Sequence, residues 1–209
     1  MATFIFDFDG TLADSFPIVA DILLKQAGHL NCKQLTSNEI KALKGLHARE
    51  VLRYLDVPLW KSFLFVKKFR KLNLEKVTEV IIFPEWFEVL KKLKFSKNQL
   101  GIISSNSGDT IKFVLQKHGL VDLFDFIIGE QPLFRKAHCL RKIIKRLSLD
   151  KNTTYYVGDE VRDIEAAQAN QIRAIAVAWG FNSLERLQLA KPELLITNLK
   201  ELSDNTLDQ

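Results

Sequence analysis

At 209 residues, with 47% hydrophobic and 26% charged residues, the chain has the make-up of one α/β domain with an insertion, or of one domain beside a small one. No apolar run approaches the roughly 18 residues of a membrane-spanning helix, and no leader peptide is expected because the first strand starts at Thr3. The net charge of +5 is scattered over helical stretches (Lys67-Lys68, Lys91-Lys92, Lys145-Arg146) with no recognition motif beside it; this argues against a nucleic-acid or membrane partner and suits a small phosphorylated one.

The first predicted element is a strand. Phe4-Ile5-Phe6 is too short for a helix and rich in strand formers, and it runs straight into Asp7-Phe8-Asp9-Gly10-Thr11. A carboxylate at the end of a buried strand is costly unless a cation or donors compensate it. Two of them one residue apart repel, and at least one pKa rises unless a metal lies between them. Asp-x-Asp at the C-terminal edge of a strand is therefore a natural place for a hard divalent cation, and that edge is where open α/β sheets take their ligands. Asp9-Gly10 alone reads as a hairpin turn. No second strand follows at once, however, because Ile18 to Leu24 reads as helix.

From about Phe16 to Ile82 the periodicity is helical, with almost no strand signal. Ile18, Ile22 and Ala27 share one face with Gly28 as a stop; Asn38 is placed to cap a second helix that Gly45 ends; Val51, Leu52 and Leu55 lie on a third; Leu59 to about Val80 forms a long fourth. Four such helices make a small bundle. After Phe83-Pro84 and an amphipathic helix from Trp86 to Leu93, strand and helix alternate. The strands are Leu100–Ser104, Phe126–Gly129, Thr154–Gly158, Arg173–Val177 and Leu194–Ile196, with helices from Asp109, Lys136, Glu160 and Ser183. Alternation predicts an open parallel sheet covered by helices on both faces, an α/β core of residues 1–15 and 83–209 with residues 16–82 inserted beside the aspartates. Asn198 to Gln209 reads as a polar tail. Cys32 and Cys139 lie far apart without metal-site spacing and read as free, buried thiols of a reducing, cytoplasmic setting.

Three further stretches carry chemistry. Gly158-Asp159-Glu160-Val161-Arg162-Asp163 follows a strand, so a parallel sheet brings it to the edge of Asp7 and Asp9. By itself it reads as a helix start, with Asp159 capping; beside the opening aspartates it is a second wall for a metal. Ser104-Ser105-Asn106-Ser107 follows another strand, and its hydroxyls and N–H groups suit a phosphate, although a turn with Ser107 or Asp109 as helix cap accounts for it equally. Arg135, Lys136, Arg141, Lys142 and Lys145 form a basic helix whose charges ordinarily face solvent.

Asp7-Phe8-Asp9-Gly10-Thr11 resembles the first motif of the haloacid dehalogenase superfamily, phosphatase branch, of the phosphoglycolate-phosphatase-like kind with a helical cap after the first strand. Ser104 matches its second motif, with Ser105 as competitor. Lys136 matches the third, although the proline that often follows is Ala137 here. Gly158-Asp159 and Asp163 match the fourth. The resemblance spans about the whole chain and implies a Rossmann-like core with a helical cap of residues 16–82. It implies an Mg²⁺-dependent phosphatase of a small phosphomonoester, phosphoglycolate or a sugar phosphate among them. Asp7 is then the nucleophile and Asp9 the acid and base; an acid there favours phosphate chemistry over dehalogenation. Mg²⁺ falls to Asp7, Asp9 (through its backbone carbonyl), Asp159 and Asp163, with Glu160 and Asp163 orienting metal waters or Lys136. Lys136 and Ser104 complete the catalytic set, and Thr11, Ser104, Ser105, Asn106, Lys136 and Arg49 are the substrate-binding candidates. Arg49 comes from Lys44–Arg49, the inserted stretch expected to face the core and meet a substrate carboxylate or second phosphate. His47 there reads as a surface or packed residue. A sugar-phosphate mutase of the β-phosphoglucomutase type and a non-catalytic binding protein on the same scaffold stay open, as does monomer or homodimer.

Overall fold

The computed structural model describes residues 1–43, 45–46, 48–131 and 135–202. Six parallel strands form the sheet: β1 (Thr3–Phe6), β2 (Gln99–Ile103), β3 (Phe126–Ile128), β4 (Thr154–Gly158), β5 (Arg173–Val177) and β6 (Leu194–Ile196). Their spatial order is β3-β2-β1-β4-β5-β6. Phe6 is thereby opposite Ile102 on one side and Val157 on the other. The strand order reverses at β1, and the crevice outside the C-terminal ends of β2, β1 and β4 is where such sheets hold ligands.

Side-chain alternation sorts the strands between two layers of helices. Phe4, Phe6, Leu100, Ile102, Val157 and Ile175 face α6 (Trp86–Phe95) and α7 (Gly108–Lys117), through Trp86, Leu90, Ile111 and Val114. Ile5, Ile103, Tyr156 and Ala174 face α8 (Lys136–Arg146), α9 (Val161–Ala169) and α10 (Leu184–Leu189), through Leu140, Ile143, Ile164 and Leu187. Asp7 follows Ile5 by two residues, so its side chain is delivered to the α8 face.

Between Asp14 and Ile81 the regular elements are all helical: α1 (Phe16–Lys25), α2 (Ala27–Leu30), α3 (Ser37–Leu43), α4 (Ala48–Tyr54) and α5 (Ser62–Glu75), with short 3-10 turns. Several boundaries differ from the sequence expectation. Ala13–Asp14 pairs antiparallel with Ile81–Ile82, so the helical stretch enters and leaves through a two-residue ribbon that its helical periodicity hides. Gly28 lies inside α2, and the stop is Asn31 in the left-handed region at φ 53°. The expected long helix from Leu59 is three pieces, with α5 flanked by 3-10 turns at Leu59–Lys61 and Val77–Glu79.

The cap of α3 is Thr36, not Asn38. Its hydroxyl accepts from the Glu39 N–H at 3.3 Å, and its own N–H donates to the Glu39 carboxylate at 2.9 Å, a capping box in the sequence Thr36-Ser37-Asn38-Glu39. Lys33 and Tyr54 also donate to Glu39. Thr36→Ala is expected to lower unfolding stability by about 1 kcal/mol in urea titration with an unchanged denaturant slope, whereas Asn38→Ala changes it by less than half as much.

The C-terminal stretch also departs from expectation. Leu199 and Leu202 are buried in the core and Glu201 accepts from the N–H groups of Thr197 and Asn198, so the first part of the supposed polar tail is structural. Residues 203–209 lie outside the described residues. Cys32 and Cys139 are free and half-buried rather than buried. Among the described residues no helix is long and apolar enough to cross a membrane.

Candidate functional site

Lys136 opens α8 at the sheet edge, and its position inverts the expectation for a basic helix. It is 5% exposed, and its Nζ donates to Asp7 Oδ2 at 2.7 Å and to Asp163 Oδ1. The ammonium also lies 5.2 Å from the centre of the Tyr156 ring. A single buried cation is thus shared by the acidic residues of two strand ends, β1 and β4.

The turn after β1 is held from several sides. Thr11, Leu12 and Ala13 all donate backbone N–H groups to Phe8 O, and the indoles of Trp86 and Trp179 donate to Thr11 O at 2.8 and 3.2 Å. Gly10 sits at φ 76°, and a Cβ there would also strike the Asp159 carboxylate and the Phe181 ring. The Thr11 hydroxyl donates to Asp159 Oδ1 at 2.7 Å, so it positions a carboxylate across the crevice. The other oxygen, Oδ2, accepts from the Phe181 N–H at 2.7 Å.

Glu160, not Asp159, is the cap of α9, and Asp159 turns its carboxylate to Thr11 and Phe181 instead. Asp163 accepts from the Glu160 N–H at 3.1 Å, as a helix start requires, while its other oxygen meets Lys136. Asn182 Oδ1 takes the Val161 N–H at 2.8 Å, and Glu160 pairs with Arg162.

After β2, Ser104 is buried and its hydroxyl accepts from the Asn106 N–H at 3.2 Å. The Asn106 amide donates to both Asp9 oxygens, at 3.1 and 3.3 Å. Ser107 caps α7 through the Thr110 N–H at 3.0 Å, which leaves Asp109 exposed and outside this role. Ser105 is half-buried and reaches a cavity of about 240 Å³ that also touches Asp9, Asn106, Glu160 and Arg162.

Electrostatics follow from burial and crowding. Burial and the Asp7 charge push Asp9 up to about 6. Burial drives Asp159 well above the carboxylate range, with Glu160, Asp163 and Asp7 adding to it, and pushes Asp163 up to about 6 against the pull of Lys136. Asp7 alone goes down: burial works against it, but the Lys136 and Arg162 charges and the hydrogen bonds from Lys136 and the Phe8 N–H outweigh that. Burial likewise disfavours the Lys136 ammonium, and Asp163 and Asp7 overcome it, holding the lysine well above its usual range.

Asp7, Asp159 and Asp163 are all buried, and each offers an oxygen within 4.8 Å of the others. With Asp9 and Glu160 the carboxylates outnumber the cations Lys136 and Arg162, so the all-oxygen donor set fits a hard divalent cation.

The structure thus brings together Asp7, Asp9, Thr11, Ser104, Ser105, Asn106, Lys136, Asp159 and Asp163. Arg49 is not with them: it is exposed on α4 and absent from the described cavity wall. Lys44 and His47 lie outside the described residues. Arg70 and Asn73, from α5, line the cavity instead, and Arg70 donates to the Ser105 carbonyl at 2.6 Å. Nothing in the basic run Lys67-Lys68-Phe69-Arg70-Lys71 distinguishes the arginine. The contribution of Phe181 was open to inference, because Trp179-Gly180-Phe181 follows β5 at the same sheet edge.

A family model described as haloacid dehalogenase-like hydrolase matches residues 4–177. A phosphoglycolate phosphatase from Synechococcus elongatus is 31% identical over 202 residues, covering 97% of this chain and 95% of the relative. The pyrophosphatase PpaX of Bacillus velezensis is 24% identical, covering 95% of this chain and 93% of the relative. The solved structure of a haloacid dehalogenase-like hydrolase from Streptococcus pneumoniae superposes with a TM-score of 0.80 at 20% identity, covering 98% of this chain and 97% of that one.

Proposed function

The chain belongs to the haloacid dehalogenase-like hydrolase family, and on that premise we propose that it is a divalent-cation-dependent phosphatase of a small phosphomonoester, working through an aspartyl-phosphate on Asp7. The observation that carries this reading is the buried Asp7–Lys136 pair at 2.7 Å, with Asp9 held beside the cavity by Asn106. The named activities of the relatives, phosphoglycolate phosphatase and pyrophosphatase, support it. Residues 16–82 then form a cap over the core of 1–15 and 83–209.

Asp7, held ionised by Lys136, attacks phosphorus in line while Lys136 offsets charge on the transferring oxygens. Asp9 stands two residues on, in a setting that lifts its pKa to about 6, so near neutrality a useful fraction is protonated. It gives that proton to the leaving alcohol oxygen as the P–O bond breaks. The resulting Asp9 carboxylate then takes a proton from the water that attacks the aspartyl-phosphate, freeing phosphate and restoring Asp7. Ser104, Ser105 and Asn106 supply hydroxyl and N–H groups for the phosphoryl oxygens. Asp7, Asp159 and the Asp9 carbonyl, with Asp163 alongside, would hold Mg²⁺, which when bound would supply charge neutralisation for the phosphoryl group.

The test is phosphate release from an aryl phosphate. Turnover is expected with Mg²⁺, is expected to vanish on chelation and to return when the ion is resupplied. Turnover indifferent to chelation sinks the cation-dependent reading.

A further inference from the structure

Resting on the phosphatase reading above, we propose that the cavity beside Asp9 takes the leaving group of a phosphomonoester with an apolar carbon body. That body carries one hydrogen-bonding group, a hydroxyl or an N–H, directed at Asn73. The cavity measures about 240 Å³, with Asp9, Asn106 and Arg162 at its catalytic end. Drug-sized ligands occupy about 300–1,000 Å³, so the occupant is a smaller molecule.

The wall contributed by the helical insertion is apolar throughout α1, α3 and α4. Leu23, Ile40, Val51 and Phe65 are typical of it, and among the described residues only Arg70 and Asn73 bring polar atoms from that side. A short carboxylate-bearing leaving group would leave most of this wall bare and would need a cation of its own. Arg70 is the one the insertion supplies, and it directs an N–H to the Ser105 carbonyl, while Arg162 at the catalytic end is paired with Glu160.

Asn73 is the second observation. It is 8% exposed, it lines the cavity, and its Oδ1 is buried without a hydrogen-bond partner. A buried amide oxygen left unpaired is destabilising, and such groups are rare in folded proteins without a functional reason. Asn73 lies three residues after Arg70 on α5, so both fall on one helix face. A donor on the substrate body that reaches this oxygen completes the site, and it fixes the ester oxygen against Asp9.

The experiment measures kcat/KM with Mg²⁺ for ethyl to hexyl phosphates, each with and without a terminal hydroxyl, alongside phosphoglycolate. Efficiency is expected to rise about fourfold per methylene until the cavity is filled, and the preferred chain to exceed phosphoglycolate. At the length that reaches Asn73 the hydroxylated ester is expected to exceed its deoxy partner about tenfold, a ratio that Asn73→Leu brings close to one. Should Asn73→Leu fail to fold, Ala20→Phe, which fills the cavity from α1, is expected to cut the hexyl-to-ethyl ratio about tenfold. A preference for phosphoglycolate, a flat chain-length profile, or unchanged ratios in the variants overturns the proposal while leaving a working phosphatase. Absence of release from every ester, aryl phosphate included, overturns the phosphatase reading itself.

Discussion

Asp7→Asn is expected to lower phosphate release by at least about 10⁴-fold while leaving the protein folded. The amide keeps the shape of the carboxylate and still offers an oxygen to the Phe8 N–H, which Asp7 now accepts at 2.8 Å. Lys136 keeps Asp163 as its ionic partner. What disappears is the anionic nucleophile, together with one of the three buried oxygens grouped for a cation. The Asp7 charge also raises Asp9 and Asp159, so its removal lets both ionise more readily. Asp9 is then a poorer proton donor at a given pH, which compounds the loss. Initial rates of phosphate release, with circular dichroism to verify folding, check the result. A variant within tenfold of the native rate means that another group attacks phosphorus.

Much of this site is legible in the sequence because its residues sit at strand ends. Asp7, Ser104 and Asp159 each follow an apolar run by one or two residues, and a parallel sheet brings such positions to one edge whatever the details of the helices. Lys136 is legible only through the family pattern, since burial of one lysine among several is decided by which strand end α8 starts beside. Thr11 is placed correctly in the turn, yet its hydroxyl serves Asp159, a contact 148 positions away along the chain. Arg70 and Asn73 depend on how α5 meets the loop after β2, and their helical periodicity is the same whether they face solvent or the cavity. The cap of α3 is a different matter. Thr-x-x-Glu is a local signal stronger than the Asn38 that precedes the apolar residues, and local hydrogen bonding decides it. The ribbon of Ala13–Asp14 with Ile81–Ile82 is too short for alternation to reveal, and it exists because the chain must leave and rejoin the sheet edge at one point.

Lys136→Met is expected to remove about 3–5 kcal/mol of stability at neutral pH, measured by urea unfolding in the presence of chelator. Methionine fills the space of the lysine stem but leaves Asp7 and Asp163 facing each other without the cation they share. The pH dependence identifies the cause. In the native chain Lys136 titrates above its unfolded value, so its contribution is fully present below about pH 10 and is lost only as pH rises through the higher folded value. Asp7 titrates below its unfolded value of 3.8, so its contribution is present above that value and is lost as pH falls through the lower folded one. Without the lysine, both carboxylates are raised by burial and mutual repulsion, and the folded state binds more protons than the unfolded. Stability of the variant therefore falls as pH rises from about 4 toward neutrality, and the gap to the native chain narrows on acidification. Asp163→Asn in the same background removes one of the two stranded charges and is expected to return about 1–2 kcal/mol, although it also weakens the start of α9. A Lys136→Met protein as stable as the native chain at neutral pH, or one that gains stability with rising pH, would mean that the ammonium does not neutralise this pair. Its charge would then be no part of what keeps Asp7 ionised for attack.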